Sequence, residues 1–354
     1  MDYIVKQDPD VTVETKIQRE GLCFFDVEKE PFQIYGVFRD GECFRRIPEK
    51  VAEAVSEGVY RCHSHSAGGR VRFVTDSPYI CVKVEYQTVP EQLRHMAPTG
   101  SAGFDMYAEE KDTFRYLGVC KPPLELKTEC EWAKAIEYPG EKIITLNMPI
   151  FSTVKKLYIG LKEGSVLKPA PRYRITKPVV FYGSSITQGG CTTNPGGIYE
   201  SLLSRKLNFD YINLGFSGSA RGEDAITDYI KNLEMSLFVL DYDHNAPTVE
   251  HLQATHAKMF DTIRAAQPEL PILILGSPKY FHNEEFTRRA PIVYDTYLKA
   301  KARGDNNVYY IPGKELMALA EDNGTVDKTH PNNLGFYSIA QAMAPVVEKI
   351  LQNP

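Results

Sequence analysis

The sequence predicts a two-domain protein, an antiparallel β-sandwich followed by a doubly wound α/β/α domain on a five-stranded parallel sheet. Three observations carry this expectation. The 354 residues exceed one ordinary domain and suit two of ~150 residues each. The first half is a series of short β-type runs between Gly and Pro turn signals. The second half alternates apolar runs with helical stretches, which is the pattern of a parallel sheet covered on both faces.

In the first half, the runs are GRVRFVT (69–75), YICVKVEY (79–86), KIITLNM (142–148) and KKLYIGL (155–161). Alternation is clear in Val71 and Phe73, and in Ile80, Val82 and Val84. Such strands read as a sandwich over 1–166. PEKVAEAV (48–55) is the one helical stretch expected there. Residues 167–177, with Pro169 and Pro171 and then Pro178 beyond, read as a Pro-rich linker, because proline favours extended chain and breaks pairing.

From 178 to 354 the buried strands are expected at 178–185, 211–218, 236–243, 271–278 and 308–313. Helices are expected near 197–208, 222–233, 248–266 and 284–303. The last, 333–351, carries Phe336, Ile339, Ala340, Met343, Val347 and Ile350 on one face. Thr248 suits the N-cap of the third helix.

Composition excludes several classes. A net charge of −5 argues against coating nucleic acid, which needs a surplus of Lys and Arg. No apolar run reaches the ~18 residues of a membrane span. The start MDYIVKQDPD lacks a basic and then apolar leader. Seven cysteines, none in a CxxC pair, disfavour a zinc motif or a disulfide framework. The expectation is a reduced, cytoplasmic, soluble protein without nucleic-acid or membrane partners. The sequence sets no oligomeric state.

In a doubly wound sheet, ligands sit beyond the carboxyl ends of the strands, where the strand order switches. The residues just past each predicted strand are therefore the informative ones. Ser185, in Gly183-Ser184-Ser185-Ile186-Thr187, is a candidate nucleophile on a small-residue turn. A serine hydroxyl needs a base, a histidine serves at neutral pH, and a carboxylate holds its tautomer. His330 and Asp327 lie three apart in one loop before the last helix. An oxyanion needs preorganised donors. Ser185 and Gly218 offer backbone N–H groups and Asn245 a side-chain amide. The nucleophile elbow G-x-S-x-G fails, because Thr187 stands where its last glycine belongs.

These blocks resemble the SGNH, or GDSL-type, hydrolase superfamily. There a Gly-Asp-Ser block supplies the nucleophile, a Gly and an Asn complete the oxyanion hole, and a late Asp-x-x-His supplies the remaining triad members. Asp327-Lys328-Thr329-His330 matches the last block, and the order of all four holds over roughly 178–351. Two departures stand out. Ser184 replaces the Asp before the nucleophile, and Asp241-Tyr242-Asp243-His244-Asn245 replaces Gly-x-Asn-Asp. These variants, with Gly103-Phe104-Asp105-Met106-Tyr107 in the first half, resemble a subgroup whose N-terminal sandwich carries a Gly-x-Asp-Leu-Tyr motif. The resemblance implies a jelly-roll-like sandwich, a flavodoxin-like hydrolase domain and no cofactor. It also implies an acylated saccharide substrate, since the better understood relatives remove acyl groups, commonly acetyl, from sugars. Asp105 and Tyr107 are then candidate substrate-binding residues, with an interior turn of the sandwich as the other reading. Two alternatives stand beside this reading: a lipid or aryl ester hydrolase of the same superfamily, and a non-catalytic sugar-binding protein.

Other motifs read as structural. His63-Ser64-His65 reads as a solvated loop rather than a metal site. His251 and His256, five apart, read as helix surface. Asp241 and Asp243 read as supporting groups, Gln188-Gly189-Gly190-Cys191 as a flexible loop beside the nucleophile, and Trp132 as a core or sandwich-edge residue before a sugar platform. No metal is implied.

Overall fold

A computed structural model describes residues 3–110, 113–281 and 283–352. The chain divides into two compact units. The first holds residues up to Arg46, Ser64–Arg172 and Thr193–Gly196; the second holds Ile47–His63, Tyr173–Thr192 and everything from Gly197 on.

The first unit is built from β1 (Leu22–Asp26), β2 (Gln33–Tyr35), β3 (Phe38–Asp40), β4 (Cys43–Arg45), β5 (Arg70–Thr75), β6 (Tyr79–Tyr86), β7 (Phe104–Glu110), β8 (Thr113–Cys120), β9 (Glu129–Ala135), β10 (Lys142–Asn147), β11 (Val154–Lys162) and β12 (Leu167–Lys168). Two antiparallel sheets form, in the orders β1-β11-β6-β9 and β12-β5-β10-β7-β8, with β2 also on β5. Period-2 alternation sends Ile80, Val82, Val84, Leu157, Ile159 and Leu161 of one sheet into the same core as Val71, Phe73, Met106, Ile144 and Leu146 of the other. Trp132 lies on β9, an edge strand, partly buried against that core.

Between β4 and β5 the chain makes α1 (Glu49–Val55) and α2 (Glu57–His63). Both belong to the second unit, where Ala52, Val59 and Cys62 pack with Val180, Phe216 and Ile226. The expected boundary near 166–177 therefore misassigns these two helices: seven-residue helices are too short to announce their partners by periodicity. A one-turn helix, α3 (Pro98–Ser101), precedes β7. The expected linker is also corrected. Leu167–Lys168 pairs with β5, and the next strand already begins at Ile175. Proline lacks only the donor, and the carbonyls of Pro171 and Pro178 accept from Arg72 Nη1 at 3.0 Å and Ser236 N at 2.9 Å.

The second unit carries β13 (Ile175–Gly183), β14 (Phe209–Gly215), β15 (Leu237–Asp241), β16 (Ile272–Leu275) and β17 (Val308–Ile311) in one parallel sheet ordered β14-β13-β15-β16-β17. Between and after them come α4 (Ser185–Gln188), α5 (Tyr199–Leu207), α6 (Asp224–Ile230), α7 (Val249–Ala266), α8 (Glu284–Ala302), α9 (Gly313–Leu316) and α10 (Asn333–Gln352). Alternate strand residues feed two cores. Val180, Phe238, Leu240, Ile272 and Ile274 face α7 and α8, and Val179, Phe181, Val239, Leu273 and Leu275 face α5 and α10. Thr248 caps α7, its Oγ1 accepting from His251 N at 3.1 Å. The order switches at β13, which lies between β14 and β15, so its carboxyl end opens the crevice. Among the described residues no helix is long and apolar enough to cross a membrane.

Candidate active site

The nucleophile turn is built first. β13 ends at Gly183, in register with Gly215 and Asp241 of its neighbours. A Cβ on Gly183 would fall 2.1 Å from Thr187 Oγ1 and 2.4 Å from Asp241 O, so only glycine lets the chain turn there. Ser184 is the N-cap of α4, its Oγ accepting from Ile186 N at 3.1 Å. Serine and aspartate cap about equally well, so this departure keeps the turn while removing a charge. Ser185, 7% exposed, opens α4, and left-handed Gly189 (φ +106) closes it.

The turn is sealed from below. Asn213, fully buried, donates to Thr187 O at 2.6 Å and to Glu200 Oε1 at 3.1 Å, while its Oδ1 accepts from Gly215 N at 2.9 Å. Gln188 Oε1 accepts from Ser217 N at 2.9 Å. Asp241 Oδ2 accepts from Thr187 Oγ1 at 2.8 Å and Tyr199 OH at 3.3 Å. Burial, with the Asp243 charge second, pushes the Asp241 carboxyl up to about 6. The stretch 185–192 is buried throughout. The flexible loop expected at 188–191 is thus corrected: its glycines make a tight turn, and the Gly190 and Gly189 N–H groups both donate to Ser185 O.

The acid–base loop approaches from the other side of the sequence. Ser185 Oγ and His330 Nε2 are 2.8 Å apart, and His330 Nδ1 and Asp327 Oδ2 are 2.8 Å apart. Asp327 Oδ1 also accepts from His330 N at 2.8 Å and Thr329 N at 3.1 Å. Burial pushes the Asp327 carboxyl up, but the His330 and Thr329 hydrogen bonds and the His330 charge outweigh it, and the net value falls to about 2. Lys328 takes the left-handed conformation (φ +66) that lets the carboxylate fold back on its own loop. Asn332 then caps α10, accepting from Leu334 N at 2.9 Å and Gly335 N at 3.1 Å.

The expected oxyanion donors follow three adjacent strands. Ser185 lies two residues past β13, Gly218 three past β14 and Asn245 four past β15. Gly218 has φ +70, and a Cβ there would meet nothing within 4 Å, so its backbone conformation and not space fixes glycine. The Ser185 and Gly218 N–H groups and the Asn245 amide donate to no protein group among the described residues. Asn245 Oδ1 is buried without a partner. Arg289, 3% exposed, anchors the Asn245 loop by donating to Asp243 O at 2.6 Å and Ala246 O at 2.9 Å.

Asp243 Oδ1 meets His244 Nδ1 at 2.8 Å, and Ser277 Oγ stands 3.2 Å from both ring nitrogens of His244. Being equidistant, Ser277 is aimed at neither, and this second Ser, His, Asp group lacks the alignment of a nucleophile. Burial and the Asp327 charge push the Cys191 thiol up to about 12, which keeps it protonated and a poor nucleophile. No disulfide joins any of the seven cysteines.

In the first unit, Asp105 corrects an expectation. It is fully buried: Oδ1 accepts from Asn147 Nδ2 at 2.8 Å, and Oδ2 accepts from Gly196 N at 3.0 Å and from Asn194 Nδ2. A carboxylate with both oxygens taken by protein donors is not free to hold a sugar hydroxyl; it holds the segment 193–196. Tyr107, partly exposed, receives Asn194 Nδ2 at 3.4 Å and packs on Tyr116 at 5.2 Å between centroids. Two histidine readings also change. His63 is buried at the end of α2, stacked on Tyr60, rather than in a solvated loop. His256 is buried with Nδ1 2.8 Å from Thr296 Oγ1, and burial lowers its pKa to about 4.

Sequence reasoning missed Asn213, Lys279 and Arg289. Asn213 is a polar residue in an otherwise apolar strand, a signal available in the sequence, whereas Arg289 stands among charged residues and carries no such signal. Nothing in the sequence shows which backbone groups they reach.

Family models match both halves of the chain. Residues 176–348 match the GDSL-like lipase/acylhydrolase family, and residues 22–167 match the Gly-x-Asp-Leu-Tyr family, the N-terminus of SGNH-hydrolase-type esterases. No curated protein matches. Among solved structures, a protein of Bacteroides ovatus ATCC 8483 described as a GDSL-like lipase is 24% identical with a TM-score of 0.84, over 94% of this chain and 98% of that one. A salicylyl-acyltransferase from a tetracycline biosynthetic pathway is 18% identical with a TM-score of 0.70, over 93% and 99%. A family two carbohydrate esterase from Cellvibrio japonicus is 11% identical with a TM-score of 0.60, over 94% and 98%. At these identities the structures share the fold.

Proposed function

The chain belongs to the GDSL-like lipase/acylhydrolase family, and from that premise we propose that it is a serine esterase removing acetyl groups from a saccharide. The observation that carries the proposal is the unbroken chain Ser185 Oγ, His330, Asp327, with both contacts at 2.8 Å, at the carboxyl end of the switch strand.

In this reading, His330 Nε2 takes the Ser185 proton as Oγ attacks the ester carbonyl. Asp327 fixes Nδ1–H and stabilises the imidazolium. The Ser185 and Gly218 N–H groups and the Asn245 amide receive the oxyanion, which needs donors not already committed to protein acceptors. His330 protonates the departing sugar alkoxide. Water then gives a proton to His330 as it attacks the acyl-enzyme, and His330 returns that proton to Ser185 Oγ as the acyl bond breaks and acetic acid leaves, to ionise in solution. No step calls for a metal or cofactor. The saccharide is supported by fold neighbours named as carbohydrate esterases and, for Butyrivibrio proteoclasticus, as an acetyl xylan esterase.

The test is mass spectrometry of acetylated oligosaccharides before and after exposure to the protein and to its Ser185→Ala variant. Loss of acetyl with the wild type alone is expected. Cleavage of lipid or aryl esters with acetylated sugars untouched would move the substrate to the other ester classes. Sugar retention without turnover of any ester would favour a binding protein.

A further inference from the structure

We propose that Lys279 is a positioning residue of this reaction: its ammonium holds the Asp327–His330 loop so that Nε2 stays aimed at Ser185. Lys279 lies four residues past β16 and is 8% exposed. Its Nζ donates to Lys328 O at 2.8 Å. Lys328 is the left-handed residue between the acid and the base, and residues 326–328 are exposed. Among the described residues, the hydrogen bonds of Asp327 go to its own neighbours, Thr329 and His330. Among the described residues, the bond from Lys279 is the one hydrogen bond that reaches 327–329 from another element.

A buried ammonium loses its hydration and needs compensation. Here the Phe286 ring lies 4.6 Å from Nζ, and the charges of Asp243, Asp327 and Glu285 act against the downward pull of burial on its pKa. The lysine is therefore held in place from its own side, while the loop it grips is otherwise tied to itself, by Val326 N donating to His330 O at 2.9 Å and by the Asp327 carboxylate. A non-glycine residue in the left-handed region persists only when its surroundings hold it there. Without Lys279, Lys328 is released to relax toward negative φ, which would carry Asp327 and His330 with it.

The inference rests on the triad reading above, so the experiment has one arm that depends on turnover and one that does not. In the wild type, the His330 Nδ1 proton shared with Asp327 is expected as a low-field proton resonance, whatever the substrate. Lys279→Met should broaden or remove that resonance. It should also lower kcat for 4-nitrophenyl acetate at least tenfold with KM within twofold. Lys279→Arg, which keeps a cationic donor, should recover the resonance and at least half of the lost kcat on a logarithmic scale. If Lys279→Met does not fold, Lys279→Gln, one bond short of Lys328, replaces it with the same expectations. A variant with wild-type kcat and an unchanged resonance overturns the proposal. So does a kcat that falls only with the folded fraction while the resonance persists. An inactive wild type would defeat the esterase reading, and the resonance arm would still decide the role of Lys279.

Discussion

The two sides of the proposed site are built in opposite ways. The nucleophile turn is buried over 185–192 and rests on Asn213, Gln188 and Asp241. The acid–base loop is mostly exposed at its tip and hangs on Lys279 and on its own carboxylate. Their two aspartates show the difference. Asp241 is sealed away from water and raised to about 6, whereas Asp327 is surrounded by donors and lowered to about 2. Two hydroxyl donors do not offset full burial, but two backbone N–H groups and an imidazole offset partial burial with a margin. Groups on the first side act mainly on stability, and groups on the second mainly on rate. The oxygen proposed to react is the exception, since it sits on the stable side but is expected to contribute only to chemistry.

Ser185→Ala tests that exception. It should lower ester turnover by ~10³-fold or more, because a triad acts as a unit, with the melting temperature nearly unchanged. Retained activity would move the nucleophile to Ser184. Asn245→Ala should lower kcat by ~10²–10³ with a smaller change in KM. Were His244→Ala the damaging change instead, the donor would have been assigned one residue too late.

Asp105→Ala extends the comparison to the first unit. It leaves the Asn147 and Asn194 amides and Gly196 N without their acceptor, a loss of roughly 3 kcal/mol in a denaturant titration. Activity per folded molecule toward 4-nitrophenyl acetate should stay within a few-fold. A large rate loss at wild-type stability would contradict a structural role.

The smallest effects separate the two carboxylates by pH. Asp327 has a folded pKa below its ordinary 3.8, so its stabilisation is complete above 3.8 and is lost as pH falls toward about 2. Asp241 has a raised pKa, so its cost is absent below 3.8 and complete above about 6. Asp241→Asn should therefore raise the melting temperature by several degrees at pH 8 and hardly at pH 4. Asp327→Asn should lower it at pH 7, with the gap closing below 3.8. The same pH dependence in both variants would remove the contrast.

Most of the second unit was legible because its signals are local. The five apolar runs, the Thr248 cap and the Asp-x-x-His spacing each declare themselves within a few residues. Topology accounts for Ser185 at the carboxyl end of β13, but Asp327 and His330 lie 16 and 19 residues past β17, so their distances to Ser185 are set by the loop and not by the strands. What escaped were relations between residues far apart in sequence. The α1–α2 pair belongs with a sheet that begins more than a hundred residues later, and the polar groups of Asp105 look free until Asn147, Asn194 and Gly196 are found on them. Proline misled by its usual meaning, because a residue without a donor still offers an acceptor, as Pro171 and Pro178 do.

The interleaving of the two units has a consequence for synthesis. A chain that emerges from the ribosome N-terminus first makes α1 and α2 long before β13 to β17 exist to cover Ala52, Val59 and Cys62. The sandwich, for its part, is not finished when Arg172 emerges, because the Asp105 carboxylate still waits for Asn194 and Gly196. Each unit draws residues from both sides of residue 166. Cutting the gene at 166 would yield a hydrolase half with an uncovered apolar face and a sandwich whose buried Asp105 keeps Asn147 but lacks Asn194 and Gly196. Such a protein is inherited, expressed and engineered as one piece, although its sequence reads as two.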